Sequence, residues 1–265
     1  MPPKKMPPLP RRDTGAPTQA YGHNPGMPGP YLDSSQQVSS LLLEFPHLAP
    51  KDLALAEKVC IEVRKYMKRY DNTHDYEHIQ RVVANADRIW NSDPNFARDL
   101  DPLVVFLACL MHDVGDHKYL RCWESGERIK EKMLVKCGAS KPLARRIQIV
   151  ATNVSYRHEK KNPGKVLAVR NEYPELAIVQ DSDRLDALGP VGLARTFAFH
   201  GRSRQFRHTS IWGALQHNWE KLYELPKMMK TEYGREEGQR LWEKTLSFTE
   251  EFQKYADISA VVIKS

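Results

Sequence analysis

Nine consecutive residues, Leu103 to Met111, carry neither a charge nor a strongly polar side chain, and a histidine and an aspartate follow at once. A segment apolar on every side has no face to offer water, so it predicts a central, fully buried helix. It is about half the length a bilayer crossing needs, and no longer apolar stretch exists in the chain, which argues against an integral membrane protein. His112 and Asp113 would then stand at the inner end of a core helix. Polar groups buried there without partners are costly, and a metal ion would satisfy both.

The segments around this run are patterned to pack on it. Leu53, Ala56, Cys60, Val63 and Met67 recur at steps of three and four, as do Tyr76, Ile79, Val83, Ala86 and Trp90. Each set is one face of a helix. Lys141 to Tyr156 and Pro174 to Leu188 predict two more. His208 to Ala256 predicts two long helices broken near Tyr233-Gly234. Breaks fall at Asn91-Ser92-Asp93-Pro94, Asn162-Pro163-Gly164, Gly189-Pro190 and Gly201. Strand-like alternation between turn pairs is scarce. The expectation is one all-α domain, a helical bundle over residues 38–265.

Residues 1–37 read differently. Nine of the 18 prolines and four of the 14 glycines lie there, with almost no aliphatic residue. Such a composition buries too little to offset its ordering entropy, so a disordered Pro/Gly-rich tail is expected. The net charge is +7, a mild positive field that favours anionic ligands such as phosphates. It is spread too thinly for dedicated nucleic-acid binding: no five-residue basic block occurs. Cys60, Cys109, Cys122 and Cys137 have no CxxC spacing, so neither a zinc knuckle nor a disulfide framework is indicated. With no signal-like opening, a cytoplasmic setting is the default, the nucleus being the other reducing compartment.

Three places put histidine and aspartate where a solvated surface has no need of them. One is Asp71-Asn72-Thr73-His74-Asp75-Tyr76-Glu77-His78, with two histidines four apart. The second is His112-Asp113-Val114-Gly115-Asp116-His117-Lys118, in which Gly115 can end the core helix in a left-handed turn. The third is Gln180-Asp181-Ser182-Asp183-Arg184-Leu185-Asp186, after an apolar stretch. Two imidazoles with two carboxylates make a mixed N/O site. Such a site suits one divalent ion (Mn²⁺ first, then Fe²⁺, Mg²⁺ or Zn²⁺) and leaves room for water and a phosphate oxygen. Spacing alone does not choose among Asp181, Asp183 and Asp186.

His78-Ile79-Gln80-Arg81-Val82, Met111-His112-Asp113 and Ser182-Asp183-Arg184-Leu185 together resemble the H…HD…D signature of HD-domain phosphohydrolases. The match is closest to one soluble, single-domain branch, with Ser182 where alanine is usual. Blocks from about residue 45 to 258 match in order, and the Pro-rich head lies outside. The resemblance implies an all-helical HD domain with His78, His112, Asp113 and Asp183 as metal ligands. It also implies hydrolysis of phosphoester or phosphoanhydride bonds in a small phosphorylated substrate, most commonly a nucleotide.

Around that set, Asp116 lies three residues beyond Asp113, placed to steer a water or take its proton, and Lys118 is placed to contact phosphate. His74 is a candidate substrate contact on the His78 face. Arg202, Arg204 and Arg207, in a basic loop after an apolar helix, could close over a polyphosphate, the bland alternative being a solvated connection. His217 and Lys221 share a helix face and could reach phosphate. Arg184 is expected to serve as structural support, paired with Asp113 or Asp186, and Arg81 to form a salt bridge. His158 reads equally well as a surface residue.

Overall fold

The structure, a computed structural model, describes residues 40–116, 120, 126, 128–203 and 208–257, with only the backbone at 217–220. The tail of residues 1–37 therefore lies outside the described residues. Among the described residues the chain is helical throughout, with no strand. In order, the helices are α1 (Leu53–Met67), α2 (Tyr76–Ser92), α3 (Pro94–Ala97), α4 (Pro102–Met111), α5 (Ile129–Cys137) and α6 (Lys141–Thr152). Then come α7 (Tyr156–Lys161), α8 (Pro163–Glu172), α9 (Glu175–Leu185), α10 (Gly189–Arg202), α11 (Trp212–Glu220) and α12 (Glu232–Ala256).

The apolar run is α4. Asp101 caps it, accepting from the amides of Leu103 and Val104 at 3.0 and 3.4 Å, and Pro102 occupies the first turn, where a missing N–H costs nothing. All of Leu103 to Met111 is buried. At about 1.5–3 kcal/mol for each large side chain taken from water, this helix is the natural centre of the fold. It packs against α1, α2, α6 and α9, and α9 also lies along α2. Both predicted faces are buried in α1 and α2, except Leu53, which is exposed at the first position, and Trp90, which is partly buried at the end of its face. No helix among the described residues is long and apolar enough to cross a membrane.

Two boundaries differ from expectation. The helix begun at Lys141 stops at Thr152, because Thr152 Oγ1 donates to the Gln148 carbonyl and Asn153 Nδ2 to that of Ile149. Ser155 then opens α7. The expected breaks at Asn162-Pro163 and Gly189-Pro190 fall where α7 gives way to α8 and α9 to α10, with proline in the first turn of each following helix. The C-terminal break falls between Glu220 and Glu232, across two 3-10 turns, and Gly234 lies inside α12. A Cβ on Gly234 would come within 2.4 Å of Asp181 Oδ2, so glycine there serves close packing.

Candidate metal centre

α2 begins beside the end of α4. Asp75 caps it by accepting from the His78 amide at 3.0 Å, which turns the buried His78 ring inward in the first turn. His112 and Asp113 leave the inner end of α4 in a tight turn. Gly115 has φ +78°, and a Cβ on it would meet Ile129 Cγ2 at 2.3 Å. Tyr70 Oη donates to the Asp113 carbonyl at 2.9 Å, and the Gly115 amide donates to Tyr66 Oη at 3.1 Å. From α5, the buried Lys130 Nζ donates to the carbonyls of His112, at 3.1 Å, and Val114. Burial lowers the Lys130 pKa to about 8, the carboxylates of Asp113 and Asp116 partly opposing it.

Four side chains meet in front of this turn. His78 Nε2 and His112 Nε2 are 3.1 Å apart. Asp113 Oδ2 lies 3.4 Å from each. Asp183 Oδ1, from α9, lies 3.5 and 3.6 Å from them. One ligand atom from each of His78, His112 and Asp183 fits within 4.8 Å of the others. Spacing left three aspartates open, and the structure turns Asp183 toward the imidazoles. Asp181 faces away, accepting from the amides of Lys230 and Thr231 at 2.9 and 2.7 Å.

The other ring nitrogens fix the protons. His112 Nδ1 is 2.8 Å from the Cys109 carbonyl, which can only accept. His78 Nδ1 is 2.7 Å from Asp186 Oδ2. Asp186 is itself clamped, accepting from Arg81 Nε at 2.7 Å and Arg195 Nη1 at 2.8 Å. Arg195 also donates to the Thr73 carbonyl, at 2.9 Å through Nε and 2.7 Å through Nη2. Both rings thus carry Nδ1–H and turn an Nε2 lone pair inward, the pattern in which a histidine ligand is held by an outer partner.

Two lone pairs and two carboxylates facing one another demand positive charge. Among the described residues, the buried Asp113 Oδ2 has no hydrogen-bond donor beyond the two imidazoles at 3.4 Å, an expensive omission unless a cation completes it. The same demand shows in the titration. Burial would lower the His112 pKa, but the carboxylates of Asp113 and Asp183 push it up to about 9. Burial would raise Asp113, but His112 and His78 hold it well below the usual carboxylate range. This donor set fits a divalent cation.

The remaining candidates spread more widely. The His74 ring lies 6.1 Å from that of His78, with Nδ1 2.7 Å from Thr73 Oγ1. The Asp116 amide donates to the Asp113 carbonyl at 3.1 Å, which sets Asp116 at the edge of the same turn. Arg202 is exposed and ion-paired with Asp71. Lys221 Nζ lies 5.6 Å over the Tyr156 ring. Lys118, Arg204 and Arg207 lie outside the described residues, as does the side chain of His217. Arg184 pairs with neither Asp113 nor Asp186. It is buried on the opposite side of α9, bonded to Glu159 and to the Met228 carbonyl at 2.7 Å. Arg81 forms the expected salt bridge, with Asp186. Asp186, Arg195, Tyr70 and Lys130 support the centre, and only Asp186 carried a sequence signal, three residues beyond Asp183.

A profile of the HD domain matches residues 75–188, which contain all four converging side chains. Bacillus subtilis YpgQ is 29% identical over 204 residues, covering 77% of this chain and 95% of the relative. Its crystal structure in complex with ADP superposes with TM-score 0.59 at 29% identity, over 77% of this chain and 95% of that one. The selenomethionine form gives TM-score 0.58 at 30% identity, over 74% and 95%. A Lactobacillus plantarum protein shares the fold at 21% identity and TM-score 0.60, over 79% of this chain and all of its own. With the H…HD…D side chains gathered at one point inside a matching helical fold, the chain belongs to the HD-domain family.

Proposed function

We propose that the chain is a metal-dependent phosphohydrolase that cleaves phosphoester or phosphoanhydride bonds of nucleotides. One observation carries the reading: two inward imidazole lone pairs and two carboxylates share a pocket in which the buried Asp113 Oδ2 faces, among the described residues, only the two imidazoles. The family membership and the ADP complex of the YpgQ relative support it. A divalent ion held by His78, His112, Asp113 and Asp183, Mn²⁺ before Fe²⁺, Mg²⁺ or Zn²⁺, would supply charge against a phosphoryl oxygen and acidify water.

The chain's own groups do the rest. Asp186 and the Cys109 carbonyl hold the two rings in the Nδ1–H tautomer, so both Nε2 atoms stay available as donors of electron pairs. Asp116, at the rim of the same turn, takes the proton of the attacking water. Lys118 neutralises the departing phosphate, with Arg204, Arg207, His217 and Lys221 along the more distal phosphates. His74, beside His78, contacts the substrate. Arg202 acts through Asp71, whose carboxylate also accepts from the Thr73 amide at 2.9 Å and so holds the turn carrying His74. The catalytic unit is residues 38–265, and residues 1–37 are an appendage to it.

The test is a screen of nucleoside mono-, di- and triphosphates with each of the four ions, scoring phosphate, pyrophosphate and triphosphate. Metal-dependent release that disappears in His112→Ala supports the assignment. Saturable nucleotide binding with no release under any ion would replace it with a non-catalytic sensor.

A further inference from the structure

A second anion-friendly place lies on the other side of α9. It is an open cleft of about 450 Å³ bounded by α3, the end of α8, the start of α9 and the start of α12. Its lining is Phe96, Pro174, Ala177 and Met229, with Arg170, Lys230 and Arg235 among them. Ala177 and Asp181 stand one turn apart on α9. At about 100° per residue, Asp183 is turned about 200° from Asp181. The helix therefore separates this cleft from the metal centre.

Among the described residues, no acidic residue lines the cleft. Lys230 Nζ has a carboxylate partner, Glu159 Oε1 at 2.8 Å. Arg235 Nη1 donates only to the Lys230 carbonyl, at 3.0 Å. Arg170 is half-buried and, among the described residues, has no ion-pair or hydrogen-bond partner. Asp181, one turn along α9 from Ala177, accepts from the Lys230 and Thr231 amides and the Thr231 hydroxyl. Among the described residues, two guanidinium groups are thus left without a carboxylate partner beside an apolar wall.

We propose that this cleft binds a small organic phosphate of nucleotide size, at a site separate from the metal centre. Guanidinium forks match phosphate oxygens and can engage them two at a time. The aromatic and aliphatic wall gives the body of such a molecule apolar surface, which bare phosphate could not use. The volume falls within the range of small-molecule sites. The proposal is independent of how the metal centre works.

The experiment is calorimetric titration of the full chain with ADP, in EDTA so that the metal centre stays unloaded. The same titration is run on Arg170→Glu/Arg235→Glu and with inorganic phosphate as a second probe. Both arginines are at the surface or half-buried, and circular dichroism checks that the double variant is folded. The expected result is saturable ADP binding that weakens about tenfold or more in the double variant, with inorganic phosphate binding more weakly than ADP. An ADP isotherm unchanged by the two substitutions, or no ADP binding in EDTA, would overturn the proposal. Phosphate binding as tightly as ADP would overturn the role of the apolar wall.

Discussion

Replacing Asp186 by asparagine separates the orientation of a ligand from the ligand itself. The side chain keeps its shape but loses its charge, so one amide must face His78 Nδ1, Arg81 and Arg195, which all donate to the present carboxylate. Asparagine can accept through its oxygen only, and its NH₂ group opposes the other donors. Charge-assisted bonds of this kind contribute about 1.5–3 kcal/mol each. Arg81 is one-third exposed, so its share is discounted for solvent screening, whereas Arg195 is 15% exposed and Asp186 is 3% exposed. A stability loss of about 2–4 kcal/mol follows. With the His78 tautomer no longer fixed, metal affinity should fall about 10–100-fold, the effect typical of a lost outer partner. Urea unfolding of the metal-free protein and competition with a chelator for Mn²⁺ and Zn²⁺ read the two quantities separately. Unchanged metal affinity alongside lowered stability would show Asp186 to be an ion-pair anchor with no part in orienting His78.

Three further perturbations test the frame around the site. Burial works to raise the Glu159 pKa, but Arg184 and Lys230 hold it below its ordinary value. Its stabilising contribution is therefore present above the unfolded value of about 4.3 and is lost as pH falls through the lower folded value. Glu159→Gln should flatten the acid side of the stability profile in urea titrations, and parallel profiles would contradict this. Lys130→Met should leave the carbonyls of His112 and Val114 unpaired, costing about 1–3 kcal/mol and weakening metal binding; wild-type values for both would refute its holding role. Gly192→Ala puts a Cβ 2.1 Å from the Ala187 carbonyl oxygen. Backbone must move, so a loss of about 1–3 kcal/mol is expected in urea unfolding, and no loss would show that the turn before α10 adapts freely.

The parts of the fold legible in the sequence are those set by periodicity and by a run with no polar face: α1, α2 and the buried α4. α8 was hidden because it has little amphipathic pattern and opens at Asn162-Pro163, which reads equally as a break. The end of α6 depends on Thr152 and Asn153 capturing carbonyls of their own helix, a local competition that apolar spacing does not report. At the site, the His-Asp pair after α4 was visible because burial makes it costly. The choice of Asp183 among three aspartates was not, since it depends on which face of α9 meets α2. Spacing chose none of the three, and the family resemblance pointed to Asp183. Arg184 illustrates the limit. Asp181, Asp183 and Asp186 all lie within three residues of it, yet its carboxylate partner, Glu159, comes from α7, through packing of separate elements.

Four side chains, His78, His112, Asp113 and Asp183, are proposed to hold one cation. Metal content of the purified chain, after incubation with Mn²⁺ and gel filtration, measures it directly, with His112→Ala and Asp113→Ala alongside. The expected result is close to one ion per chain in the wild type and loss of that ion in both folded variants. Retention of the ion by either variant, or a wild-type chain that takes up none, would contradict it.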